Sequence, residues 1–172
     1  MTDWLRNSYR LELLESRSDP DRRTSSERWS GNRLAAQDRV RSIPLQELAR
    51  RLPREFDYVG LQKELCETDR VELQGRPWIR NLGEELEDFT DTAAVCECLD
   101  LLISVDSSVA HLSAALGRPT WILLPFAPDY RWLLNRSDSP WYPTARLYRQ
   151  SHASDWSGAL ARSMEDRRQK LK

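Results

Sequence analysis

The chain has 172 residues and a mass of 20.1 kDa, enough for one domain with a real core and too short for two full α/β domains. Lys and Arg number 26 against 27 Asp and Glu, a formal net charge of −1 that excludes a general polyanion binder, which needs a basic excess. With 40% hydrophobic residues, 31% charged residues and a mean hydropathy of −0.69, the composition is that of a soluble globular chain with polar ends.

No apolar run approaches the roughly 20 residues that span a bilayer; the longest, Leu99–Val105 and Thr120–Ala127, are strand-sized. The opening MTDWLRNSYRLELLES is charged throughout and has no apolar core, so it is not a secretory signal. The three cysteines, Cys66, Cys96 and Cys98, lack the spacing of a redox or zinc pair and read as reduced thiols, which points to the cytoplasm. Twenty-three of the 26 basic residues are Arg, a bias that reads as GC-rich coding rather than as a functional code.

In chain order, residues 3–16 read as a short amphipathic helix carrying Trp4, Leu5, Leu11 and Leu14. Residues 16–28, SRSDPDRRTSSER, are polar and turn-rich and read as a linker or disordered segment. The Asp19-Pro20-Asp21 within it has the form of a DxD metal motif, which in a charged linker is a chance match. The chain therefore divides into a leader over 1–27 and a domain over 28–172. Pro44 in a first turn, with Ser42 as cap, starts a helix carrying Leu45, Leu48, Ala49 and Leu52, and Pro53 ends it. A strand at 57–62, a helix near 68–73 and a strand at 78–82 follow. Asp91 caps a helix holding Ala94, Val95, Cys98 and Leu99.

LLISV at 101–105 is a continuous apolar strand of the kind covered on both faces. Asp106-Ser107-Ser108 turns into a helix with an apolar stripe at Val109, Leu112 and Leu116, stopped by Gly117 and Pro119. TWILL at 120–124 is a second buried strand. A Pro-, Asp- and aromatic-rich loop spans 125–143, a last strand 145–148 and a terminal helix 156–170. Strands alternating with helices from residue 43 onward predict a parallel, Rossmann-like α/β sheet flanked by helices.

Three clusters carry chemistry. The strand–turn–helix at LLISVDSSVAHLSAALGRP puts Asp106, Ser107 and Ser108 at a strand's carboxyl end, where open α/β sheets bind ligands. The unpaired N–H groups and macrodipole of the following helix suit a phosphate. Asp106 would repel a phosphate, so a sugar hydroxyl is its better partner, and His111 lies one turn on, within reach of the same crevice. Spacing alone leaves a second reading open, in which Asp106 and Ser107 are only caps and His111 a satisfied helix residue. There is no P-loop and no GxGxxG.

The second cluster is Trp29-Ser30-Gly31-Asn32 followed by DRVRSIP at 38–44. Gly31 permits a tight turn, and Arg41 ahead of a helix start is placed to pair a diphosphate, though taken alone it reads rather as a surface arginine in a polar loop. The third is PFAPDYRW at 125–132 with DSPWYP at 138–143. This aromatic loop reads as a binding wall, as a loop pinned by Trp132 and Trp141 packing into the core, or as both.

Taken in order, WSGN…DRVRSIPL, LQK and DFTDTAAVCECLDLLISVDSSVAHLSAALGRPTWILLPFAPDYRWLL…DSPWYPTARLYRQ resemble the carboxyl-terminal domain of bacterial heptosyltransferase-like glycosyltransferases (glycosyltransferase family nine), especially versions fused behind tetratricopeptide repeats. The resemblance covers residues 28–160 and is most specific over 88–150. It implies one half of a two-domain GT-B fold, gripping a nucleotide-diphosphate sugar as substrate, with no cofactor and no essential metal. By the same resemblance Asp106 holds donor sugar hydroxyls, Ser107, Ser108 and Val109 line the diphosphate, and His111 completes the pocket. Arg41 matches a phosphate-contacting basic residue, and Ser30 and Gly31 the loop beside it.

The chain departs from that pattern in ways that matter. The family's amino-terminal half, with the acceptor surface and the base that deprotonates the acceptor hydroxyl, has no counterpart, so no catalytic residue is assigned. No tetratricopeptide repeat is found, and TSSER stands where an apolar strand normally runs into WSG. The expected function is therefore donor binding for sugar transfer. The alternative is a non-catalytic nucleotide-sugar-binding module or truncated fragment, acting as a homo-oligomer or with a separate acceptor-domain chain. Whether the chain is itself an enzyme stays open, and neither nucleic acid nor a membrane span is expected.

Overall fold

The computed structural model describes residues 23–30 and 38–170. The expected helix at 3–16, the DxD match and Gly31 lie outside the described residues. The strands are β1 (Thr24–Arg28), β2 (Asp57–Gly60), β3 (Ile79–Asn81), β4 (Leu101–Val105), β5 (Thr120–Leu124) and β6 (Ala145–Arg149). The helices are α1 (Asp38–Arg41), α2 (Leu45–Ala49), α3 (Glu67–Gln74), α4 (Phe89–Cys98), α5 (Ser108–Ala115) and α6 (Ser157–Lys170), with one 3-10 turn at Tyr130–Trp132.

All six strands are parallel, in the order β3-β2-β1-β4-β5-β6. Side chains alternate along each strand, so the sheet has two buried faces. Leu101, Ile103, Val105, Trp121 and Leu123 face one side, against Leu45 and Leu48 of α2 and Ala159, Leu160 and Met164 of α6. Leu102 faces the other side with Val95 of α4 and Val109 of α5, while Ile122 and Leu124 pack there against Ala110 and Ala114 of α5. This is the expected α/β sheet flanked by helices, and it accounts for the unbroken apolar runs of β4 and β5.

The central strand corrects the sequence reading. TSSER at 24–28, expected as linker, is β1, and it pairs with β2 on one side and β4 on the other. Thr24, Ser25, Ser26 and Glu27 are all buried. Two ladders satisfy the backbone, and Thr24 also exchanges bonds with Asp100: its N–H donates to Oδ2 at 2.9 Å, and its carbonyl accepts from Asp100 N at 3.0 Å. Small hydroxyls fit between the helices. The Glu27 carboxylate accepts from Arg167 of α6 at 3.1 Å, and the guanidinium lies 4.6 Å from the rings of both Phe56 and Tyr58. Hydrogen bonding and charge pairing therefore take the place of apolar alternation in this strand.

Smaller corrections follow the same physics. Asp88, not Asp91, caps α4, accepting from Thr90 N at 2.6 Å and Asp91 N at 3.1 Å. Ser42 does not cap α2; its hydroxyl donates to Ser30 Oγ at 3.1 Å, and Pro44 occupies the cap position. On α5 the buried face is Val109, Ala110, Ser113 and Ala114, while Leu116 is exposed. Small residues let that helix lie close to β4 and β5. No helix among the described residues is long and apolar enough to cross a membrane.

Candidate functional site

The sheet order reverses between β1 and β4: the chain runs outward to β2 and β3 on one side, then returns to build β4, β5 and β6 on the other. Loops leaving the carboxyl ends of β1 and β4 part in opposite directions there and open a crevice. Arg28, Trp29 and Ser30 leave β1 at this point, and Asp106, Ser107 and Ser108 leave β4.

Arg41, at the end of α1, donates from Nη1 to the carbonyl of Asp106 at 3.0 Å and so ties the two sides together. The Asp106 side chain is mostly buried, with its Oδ1 3.5 Å from His111 Nε2. Burial pushes this carboxyl up. Contacts from His111 and Trp132, with the charges of His111 and Arg131, outweigh burial and hold it below its usual value. The His111 Nδ1 is 3.0 Å from Tyr142 Oη, and the imidazole stacks on the fully buried Trp132, 5.0 Å between centroids at 20°. Tyr142 and Trp132 thus orient His111 towards Asp106.

Ser107 is the N-cap of α5. Its Oγ accepts from Ala110 N at 3.4 Å and pairs with Ser104 Oγ at 2.9 Å, so this hydroxyl is engaged within the turn. Ser108 is exposed, and Ser108 and Val109 line a cavity of about 400 Å³. Ser30 is buried and does not itself line that cavity. Its N–H donates to Gln62 Oε1 at 3.2 Å, and it lines a second hollow of about 540 Å³ with Trp29, Cys66 and Asp69.

The 400 Å³ cavity also takes in residues from outside the three clusters. Arg28 comes from the end of β1, Lys63 and Glu64 from the loop after β2, Gly83 from the loop after β3, and Phe89 from the start of α4. Leu61, Leu86 and Val109 give it an apolar wall. Arg28 is held by bonds to Ser30 O at 3.3 Å and Leu61 O at 3.1 Å; Lys63 Nζ donates to Leu86 O at 3.0 Å and Glu87 O at 3.2 Å. Asp88, at the mouth, is held below the usual carboxylate range by the backbone N–H groups of Asp91 and Thr90. LQK stands directly after a strand, which was the one signal that could have found this cavity. Phe89 and Arg28 carried none.

The aromatic loop divides between its two readings. Trp132 packs into the core as expected of a pinned loop, but Trp141 is 63% exposed and does not. All three cysteines are free thiols; Cys96 is buried and Cys98 packs against the same cluster. Among the described residues, no three His, Cys, Asp or Glu side chains gather around a common metal position.

Comparison with known proteins adds the following. The chain is similar in fold to E. coli ADP-heptose LPS heptosyltransferase II, with a TM-score of 0.66, 18% identity, and coverage of 99% of this chain and 52% of that one. It is also similar to the glycosyl transferase family 9 protein of Veillonella parvula, with a TM-score of 0.59, 13% identity, and coverage of 100% and 47%. Protein FlbA of Caulobacter vibrioides is 28% identical over 109 residues, 61% of this chain and 18% of that protein. The chain thus spans about half the length of the solved structures and less than a fifth of FlbA. Residues 64–124, which run from the cavity loop through α5 to the end of β5, match glycosyltransferase family 9 (heptosyltransferase), and they sit in a sheet with the fold of a heptosyltransferase.

Proposed function

We propose that the crevice between β1 and β4 binds a nucleoside-diphosphate sugar, and that this chain is the donor-binding part of a glycosyltransferase. The observation that carries the reading is the coincidence of three features at one place. The strand order reverses there, the start of α5 opens there, and a cavity of about 400 Å³ lies beside it. The family match over residues 64–124 supports it, as does the likeness in fold to a heptosyltransferase named for ADP-heptose, itself a nucleoside-diphosphate sugar.

The nucleoside enters the cavity, against Leu61, Leu86 and Val109, with the Phe89 ring at the mouth. The diphosphate lies at the start of α5, by Ser108 and Val109, where the helix dipole favours negative charge. Arg28 and Arg41 flank it. Asp106 accepts from hydroxyls of the sugar, and its depressed pKa keeps it an acceptor. In transfer, the acceptor oxygen bonds to the anomeric carbon as the bond to the diphosphate oxygen breaks, and the acceptor's hydroxyl proton passes to a base of the acceptor-binding part. The helix start and the guanidinium groups stabilise the charge that develops on the departing diphosphate. Since the chain spans about half of its solved relatives, a second reading stands beside this one: the chain binds the donor and turns over only with an acceptor-binding partner.

Calorimetry with ADP-, UDP- and GDP-sugars tests the first statement. Binding of at least one is expected, and no heat from any of them at millimolar ligand overturns the reading. Binding without hydrolysis or transfer favours the module that needs a partner.

A further inference from the structure

The segment between β5 and β6 is built as a ledge. From below, Trp132 is fully buried against His111 and Tyr142. Arg149 reaches up to donate to the carbonyls of Trp132 at 2.6 Å and Arg136 at 3.4 Å, and Leu147 N donates to Ser137 O at 2.7 Å. Leu133 and Asn135 take φ of 52° and 54°, a left-handed backbone that non-glycine residues keep only where the surroundings hold it.

Above this base, large rings face outward. Tyr130 is 84% exposed, Trp141 63% and Phe126 57%. These rings contribute little to the core. The Trp141 ring is nevertheless fixed, because its Nε1 donates to Arg131 O at 2.9 Å and its backbone N–H to Ser139 Oγ at 3.3 Å. Asp129 and Arg131, on either side of Tyr130, pair at 2.7 Å, and the same carboxylate accepts from Arg131 N at 3.0 Å.

A pinned ring beside an acid–guanidinium pair matches one ligand chemistry closely. A pyranose has an apolar C–H face and a rim of hydroxyls. The indole and phenol faces suit the first, and the carboxylate and guanidinium suit the second. A protein partner fits less well, since the centres of protein interfaces are depleted of charge. We propose that Tyr130 and Trp141, with the Asp129–Arg131 pair that flanks Tyr130, form a stacking platform for a pyranose ring of a carbohydrate ligand. Tyr142, next in sequence to Trp141, contacts His111, which faces Asp106, so the platform borders the sugar end of the crevice. It does not depend on nucleotide binding.

Saturation-transfer NMR on the full chain, with methyl β-D-glucopyranoside, methyl α-D-mannopyranoside and methyl β-D-galactopyranoside as probes, tests this. Irradiating aromatic protons is expected to saturate the C–H face of at least one probe. Trp141→Ala and Tyr130→Ala each weaken that binding about five- to tenfold, and Trp141→Phe retains most of it. Arg41→Ala, which impairs the nucleotide site, leaves the sugar signal in place, so the two proposals fail separately. Transfer to none of the probes, or transfer untouched by both alanine variants, overturns the platform. So does concentration-dependent self-association that Trp141→Ala abolishes, because the rings would then form a protein interface. Should Trp141→Ala fail to fold by circular dichroism, Tyr130→Ala decides, since that side chain is almost wholly outside the core.

Discussion

Arg41 and the backbone carbonyl of Asp106 are joined across the crevice by a 3.0 Å hydrogen bond between residues 65 apart in sequence. One arginine therefore links the segment after β1 to the turn after β4. Arg41→Ala is expected to weaken nucleotide-sugar binding by roughly 1.5–3 kcal/mol, the range for a hydrogen bond to a charged group. Arg41→Lys recovers only part, since an ammonium cannot reproduce the planar fork. Isothermal calorimetry reads both; unchanged affinity in Arg41→Ala removes the residue from the site.

Ser107 and Ser108 separate the capping role from the binding role. Ser107→Ala removes the cap of α5 and should lower stability by about 1 kcal/mol in urea unfolding. Ser108→Ala should leave unfolding unchanged and lower affinity for the nucleotide sugar, because the residue is exposed at the cavity wall. If Ser107→Ala instead costs affinity and no stability, the assignment of the two hydroxyls is reversed.

How much of this was legible in the residues depended on how each element earns its place. LLISV and TWILL were readable to the residue, because strands covered on both faces must be apolar throughout. TSSER was not, because its burial rests on an ion pair with Arg167, 140 residues away, and no local pattern announces such a partner. That Asp106 and His111 stand near each other was readable because the turn before α5 and the first turn of that helix relate them. The cavity was missed because Arg28, Lys63, Gly83 and Phe89 come from four separate connections that only the sheet order brings together.

The Glu27–Arg167 pair makes a prediction about pH. Burial raises the Glu27 carboxyl from its ordinary 4.5 to about 7, against the opposing pull of Arg167 and the hydroxyl of Ser25. A raised folded value means that the native state holds a proton that the unfolded state releases. The stability so contributed is full below pH 4.5 and is lost as the pH rises through about 7. Melting followed from pH 4 to 8 should show that decline, and Glu27→Gln should flatten it. Arg167→Met removes the cation that draws the carboxyl down, so the buried group keeps its proton to still higher pH; the variant should be destabilised, and Glu27→Leu with Arg167→Met should recover most of the loss. An additive double variant would mean that the two side chains are uncoupled.

Gly83 is required by space. A Cβ there would be driven into the backbone carbonyl of Gln62 and lie 2.7 Å from Lys63 N. Gly83→Ala must push the loop after β2 outward, at a cost of roughly 1–3 kcal/mol, and it should distort the cavity that both loops line. Gly75→Ala meets nothing nearer than 3.6 Å and serves as the tolerated control. Equal melting temperatures for the two variants would contradict the close approach.

The position of β1 has a consequence for any attempt to dissect this molecule. The strand is the shared seam of the sheet: β2 and β3 reach the rest of it only through β1, and β4, β5 and β6 reach them only through β1. A cut at residue 28, where the sequence pattern first turns domain-like, would unzip the module down its middle and open two parallel edges to water, each a template for pairing with another chain. The smallest piece that can keep the crevice intact therefore begins no later than Thr24.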